Sequence, residues 1–147
     1  MARLVAVAIL AVAFAPSPAP AATVTSSTYE SQVVSRTNAI RSAHNLATLR
    51  TKQCVDNYAE SWSRWMARHK RLVHQSLSKV LDACDLTGVA ENIAVGFTSG
   101  NSVLKAWMAS PGHRTNILRS KMRYIGVGAT QDSNGRWWVS QVFGTRR

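Results

Sequence analysis

YIGVGATQDSNGRWWVSQVF, residues 124–143, decides the fold class. Tyr124 to Thr130 alternates larger residues with two glycines, Gly126 and Gly128. Asp132-Ser133-Asn134-Gly135 carries the residue types of a tight turn, and Arg136 to Phe143 returns as a strand rich in Trp and Val. Upstream of this hairpin the chain reads as helices. Tyr29 to Leu46 repeats Val33, Thr37, Ile40 and His44 at helical spacing, with no Gly or Pro. Lys52 to Lys70 carries an inner stripe of Val55, Ala59, Trp62 and Met66, with Trp65 beside it. Ser78 to Cys84 reads as a short helical turn, Val89 to Phe97 as a buried strand or turn, and Asn101 to Ala109 as a helix. Ser110-Pro111 then starts a further helix that ends near Leu118, because Ser is a favoured cap and Pro a favoured first helical residue. Helices first and a hairpin last predict an α+β domain with helices packed on an antiparallel sheet.

The start of the chain predicts export. Residues 1 to about 22 read as a secretory signal peptide, with Arg3 their only charged side chain. Leu4 to Ala15 is an unbroken apolar run, well short of the ~20 residues that a membrane-spanning helix needs. Pro16, Pro18 and Pro20 follow, and Ala19 and Ala21 supply the small residues of a cleavage site. Residues 23–28 are expected to be a loose lead-in, and 29–147 a single domain with no segment apolar enough to span a bilayer. Cys54 and Cys84, the only cysteines, are expected to be bridged outside the cytoplasm rather than left as two buried thiols.

Lys and Arg number 18 against 7 acids, a net charge of +11. This favours anionic partners such as wall polymers or lipid head groups, or it serves solubility alone. Arg64, Arg68, Lys70 and Arg71 gather near the end of the second helix, where cations suit the helix dipole. No specific nucleic-acid binding is expected, because no exposed aromatic residues are predicted beside them for base stacking.

Three polar residues are not needed by a purely structural account: His74, Glu91 and His113. Glu91 lies in Ala90-Glu91-Asn92-Ile93, between apolar neighbours. His113 lies in Ser110-Pro111-Gly112-His113-Arg114-Thr115-Asn116-Ile117-Leu118. Singly, each has an ordinary structural explanation.

Together with Ile125-Gly126-Val127-Gly128 and Trp138 to Gly144, these stretches resemble the bacterial, SCP-like branch of the CAP superfamily. That superfamily includes cysteine-rich secretory proteins, insect venom antigens and plant pathogenesis-related proteins. Ala90-Glu91-Asn92-Ile93 is similar to its G-E-N-[IL] motif, and Thr37 to Arg41 to the start of its first helix. The likeness covers about residues 30 to 144. It implies a three-layer α-β-α sandwich with a central antiparallel sheet. It also implies a cleft of two histidines and two glutamates that binds a divalent metal such as zinc. His113 matches the histidine of G-H-x-x-[QN], Glu91 the glutamate of G-E-N, and His74 the remaining histidine. The second glutamate would stand three residues after Trp107, where this chain has Ser110, and Ala90 replaces the motif's glycine.

Two neutral imidazoles suit zinc, and Glu91 is then placed behind them, orienting water or a ring. Placement of His113 near a helix start disfavours its charged form. The expected function is a secreted binding module that offers His74 and His113 to a divalent cation, and a nearby apolar groove to a lipid or wall component. Two alternatives stand beside it: a metal-dependent hydrolase with Glu91 as base, and a basic surface protein acting through charge alone. Ser110 as a nucleophile is discounted, because helix capping already accounts for it.

Overall fold

The computed structural model describes residues 24–146, so the signal-peptide reading of residues 1–22 lies outside the described residues. In chain order the elements are α1 (Ser26–Ala43), β1 (Arg50–Thr51), α2 (Gln53–His69), α3 (Leu77–Ala83), β2 (Val89–Val95), α4 (Gly100–Ala109), α5 (Pro111–Leu118), β3 (Met122–Gln131) and β4 (Trp137–Thr145). The sheet order is β1-β3-β4-β2. β3 and β4 form the expected hairpin, and β2 pairs antiparallel with β4, Glu91 opposite Val142. β1 was not foreseen. It has only two residues and runs parallel to β3, so the sheet is mixed, although its main body is antiparallel. A two-residue strand has no periodicity to read.

Strand alternation sorts the side chains into two cores and makes the fold a three-layer α+β sandwich. Trp137, Val139 and Phe143 of β4 join Tyr29, Val33, Leu104, Trp107 and Ile117, beneath α1, α4 and α5. Val142 packs with Val55, Ala59 and Val80, and Trp138 with Met66, Ala67 and Ile93, beneath α2 and α3.

α1 begins at Ser26, inside the expected lead-in, because Thr25 caps it by accepting a hydrogen bond from the Thr28 amide. Thr37 to Arg41 therefore forms its later half rather than its start. The buried stripe is Tyr29, Val33, Thr37 and Arg41, a strict four-residue spacing, and not Val33, Thr37, Ile40 and His44. Arg41 is fully buried. Its guanidinium donates to the carbonyls of Ala47 (2.9 Å), Ile117 (2.7 Å), Arg119 (3.0 Å) and Met122 (3.3 Å). Two of these close the C-terminal end of α5, whose last carbonyls have no partner within the helix.

α2 lies directly on β3. A Cβ at Gly126 would collide with the backbone of Val55 and Asp56, and one at Gly128 with that of Ala59 and Glu60. The outer edge of β3 beyond β1 is closed by carboxylates: Asp56 accepts from the Val127 amide (3.0 Å) and Glu30 from the Ala129 amide (2.9 Å).

Cys54 and Cys84 are bridged, with Cα atoms 5.6 Å apart, joining the start of α2 to the end of α3. The loop closed has a separation of 30 residues. Chain entropy assigns such a closure about 3 kcal/mol of stability. The double variant Cys54→Ser/Cys84→Ser is expected to lose about that much in urea unfolding. A loss below ~1 kcal/mol would show the bridge to be redundant.

Candidate functional site

β2 is the edge strand of the sheet, and its two faces meet different layers. Glu91 points to the α2–α3 side, the same face as Ile93. Its carboxylate has no exposed side-chain surface and is surrounded by donors. Oε2 accepts from His74 Nδ1 (2.7 Å) and the Gln75 amide (3.3 Å). Oε1 accepts from Gln75 Nε2 (2.7 Å) and Ser140 Oγ (2.9 Å). Both lone-pair sets are thereby occupied. His74 itself sits in the α2–α3 loop with its side chain 57% exposed. A carboxylate can only accept here, so His74 Nδ1 carries a proton, and in the neutral ring Nε2 is the nitrogen that keeps a lone pair.

The opposite face of β2 positions His113. Asn92 Nδ2 donates to Gln141 Oε1 (3.1 Å) and to the His113 carbonyl (3.2 Å). Asn116 Nδ2 donates to Asn92 Oδ1 (2.9 Å) and to the Glu91 carbonyl (3.2 Å). Gln141 Nε2 completes the chain at Thr37 Oγ1 (2.8 Å). These amides clamp α5 onto β2. Among the described residues, no buried side-chain nitrogen or oxygen lacks a partner.

His113 is the third residue of α5, as expected. Ser110 precedes α5 in cap position, but its hydroxyl makes no capping bond. It pairs instead with His113 Nδ1 at 2.9 Å. The position that would carry a second acid therefore holds a hydroxyl spent on orienting the ring. Trp107 flanks that ring, centroids 6.2 Å apart. The His113 pKa is lowered from its ordinary value, first by burial and then by the charge of His74. The expected direction is right, but burial and the second histidine cause it rather than the helix end.

His74 is thus held by Glu91 on one face of β2, and His113 by Asn92 and Ser110 on the other, so the two histidines approach the strand from different layers. Each ring is held through Nδ1, and neither Nε2 makes a hydrogen bond among the described residues. No group of three or more His, Cys, Asp or Glu residues able to hold a metal ion is found among the described residues. Gln75, Ser140, Asn92, Asn116 and Gln141 were not singled out from sequence. Asn92, Asn116, Ser140 and Gln141 lay within the quoted stretches, though nothing there marked their partners. Gln75 lay in none of them.

The chain is similar to known proteins over most of its length. The chain is 35% identical over 125 residues to the uncharacterized protein YkwD of Bacillus subtilis, covering 80% of this chain and 48% of that protein. It is 32% identical over 123 residues to the uncharacterized membrane protein YlbC of the same organism, covering 76% of this chain and 36% of that one. The chain thus spans about half or less of the length of these curated relatives. Among solved structures, an extracellular protein from Bacillus anthracis containing an SCP domain superposes with a TM-score of 0.74 at 27% identity, over 82% of this chain and 41% of that one. The model of the cysteine-rich secretory protein family, CAP, matches residues 34–143, which include His74, Glu91 and His113. From the His74–Glu91 pair on one face of β2 to the Asn-clamped His113 on the other, this chain belongs to the CAP family.

Proposed function

We propose that this chain is an exported binding module that uses His74 and His113 to hold a divalent cation such as zinc, and through it a component of the cell envelope. The observation that carries this reading is the shared posture of the two rings. Each is fixed through Nδ1, by Glu91 or by Ser110, and each keeps Nε2 for a ligand. Two imidazoles without a third protein ligand suit a weakly held ion with water in its remaining positions. Export is supported by the disulfide and by the likeness to an extracellular SCP-domain protein. Among the described residues no helix is long and apolar enough to cross a membrane.

A hydrolase reading fits less well. A general base needs an oxygen facing the proton it takes, and both Glu91 oxygens are committed inside the protein. Ser110 is no longer accounted for by capping, yet a serine nucleophile needs a base whose far nitrogen is itself oriented, and His113 Nε2 has no such partner among the described residues.

Zinc titration calorimetry on the wild type, His74→Ala and His113→Ala tests the proposal at pH 7.5 and 5.5. Either substitution is expected to abolish measurable binding or weaken it beyond the ~10–100-fold typical of losing an orienting partner. Binding falls with acid because protons compete for Nε2. The lowered pKa of His113 means that its ring stays available at lower pH than an ordinary histidine. Wild-type zinc binding that survives either substitution unchanged would leave both histidines structural.

A further inference from the structure

Among the described residues two large hydrophobic side chains are exposed, Leu72 at 44% and Val73 at 36%, and they are neighbours. They stand in the loop between α2 and α3, where every residue from Arg68 to His74 is exposed. This loop is pinned rather than slack. Lys70 takes a left-handed conformation (φ 54°) and is tied to Asp132 (3.0 Å) and to Ser133 Oγ (3.2 Å). The Val73 carbonyl accepts from the Trp62 indole (2.8 Å), and His74 is held by Glu91. Pinned at these points, the backbone keeps part of Leu72 and Val73 in contact with solvent.

Beside them lies an aromatic ridge on α2. Trp62 and Trp65 are half-buried and stacked, with centroids 4.6 Å apart and planes within 2°. His69 stacks on Trp65 at 4.3 Å. A groove of about 420 Å³ runs along this ridge, between Trp62, Trp65 and Lys79. Arg68, Arg71 and Lys79 surround the feature, and none makes a salt bridge among the described residues. Cations, indoles and an exposed aliphatic pair therefore share one surface. These are the groups that a lipid surface takes up: cations meet phosphates, indoles lie at head-group level, and aliphatic side chains enter the acyl boundary. A soluble anionic polymer would engage the cations but leave Leu72 and Val73 in water. A glycan platform would need open indole faces, and here the indoles cover one another.

We infer that the Arg68–His74 loop and the Trp62–Trp65 ridge form a docking surface for an anionic phospholipid bilayer. The inference rests on the reading of the chain as an exported protein, and it is independent of cation binding by the histidines. Docking here would bring the His74 side of the cleft to the lipid surface.

The test is vesicle co-sedimentation of the exported chain, with EDTA present throughout. Vesicles of phosphatidylcholine with phosphatidylglycerol are compared with vesicles of phosphatidylcholine alone, and tryptophan emission is read in parallel. Binding is expected for the anionic vesicles, with a blue shift. Leu72→Ser/Val73→Ser should weaken partitioning at least tenfold and remove the shift, while thermal unfolding and zinc titration stay as in wild type. Arg68→Ser, Arg71→Ser and Lys79→Ser should each cost about fivefold, the equivalent of ~1 kcal/mol per surface charge, and added salt should mimic them. Three results would overturn the inference: no binding to anionic vesicles, binding that ignores the Leu72/Val73 double variant, or self-association in solution that the double variant abolishes. The zinc titration is unaffected by any of these, so failure here and failure of the cation reading are separable.

Discussion

Arg41→Ala is expected to cost about 4 kcal/mol, at ~1–3 kcal/mol for each of the two carbonyls left without a donor. Four carbonyls accept from this side chain; those of Arg119 and Met122 also accept from the Met122 amide (3.2 Å) and Arg123 Nη1 (2.8 Å), whereas those of Ala47 and Ile117 rely on Arg41, and no carboxylate forms an ion pair with it among the described residues. They belong to three segments: the loop after α1, the end of α5 and the start of β3. Small domains have only about 5–15 kcal/mol in total. The alanine variant should therefore be largely unfolded or strongly shifted in urea. Arg41→Lys keeps the charge but replaces a planar fork by a point donor that cannot span four acceptors. It should fold and lose about 2 kcal/mol, which keeps the idea testable if the alanine variant cannot be purified. An alanine variant within ~1 kcal/mol of wild type would mean that water replaces the guanidinium at no real cost.

Glu91→Gln should destabilise the fold by about 3 kcal/mol, the scale of losing charge-assisted hydrogen bonds at a buried carboxylate. The carboxylate takes four donors, and an amide offers one oxygen and an NH2 group that must face a donor. Because His74 loses its partner in the same stroke, zinc binding should weaken together with stability. Sequence reasoning ranked Glu91 below the histidines, as an orienting residue alone. The structure gives it a second task, joining the α2–α3 loop to β2 and β4. Ser140→Ala provides the control, since it removes one donor without touching His74. It should cost about 1 kcal/mol and leave zinc titration unchanged. Equal zinc affinities in wild type and Glu91→Gln would separate the carboxylate from the cation reading altogether.

Both predictions turn on buried polar residues, and these are where sequence reading was weakest. Long elements with strong periodicity were legible: α2 was expected over Lys52 to Lys70 and runs Gln53–His69, and the hairpin fell where turn chemistry put it. Cys54 and Cys84 were paired correctly from compartment and count. The site triad came from motif likeness, since no spacing connects residues 74, 91 and 113 before the chain folds. Arg41 escaped because an arginine on a helix face reads as solvent-exposed, and only tertiary structure supplies its carbonyls. Ser110 was read from local rules as a cap. The nearby imidazole competes for the same hydroxyl, and it wins. Trp62 was assigned to the core by its spacing, whereas its ring lies half-exposed against Trp65. A helical stripe marks a direction, but not how far the neighbouring layer extends to cover it.

Gly126 and Gly128 let α2 rest on the sheet backbone to backbone. Side chains in a core can change rotamer and absorb a small misfit, but main chain against main chain has no such give. α2 therefore behaves less like a cushion than like a plate on a hard stop, and everything mounted on it inherits that stop. The loop carrying Leu72, Val73 and His74 leaves from the end of the plate. A single added methyl at residue 128 would tilt the helix and displace these three side chains together. Sequence changes that act on only one of them have to be made in the loop itself, downstream of the plate.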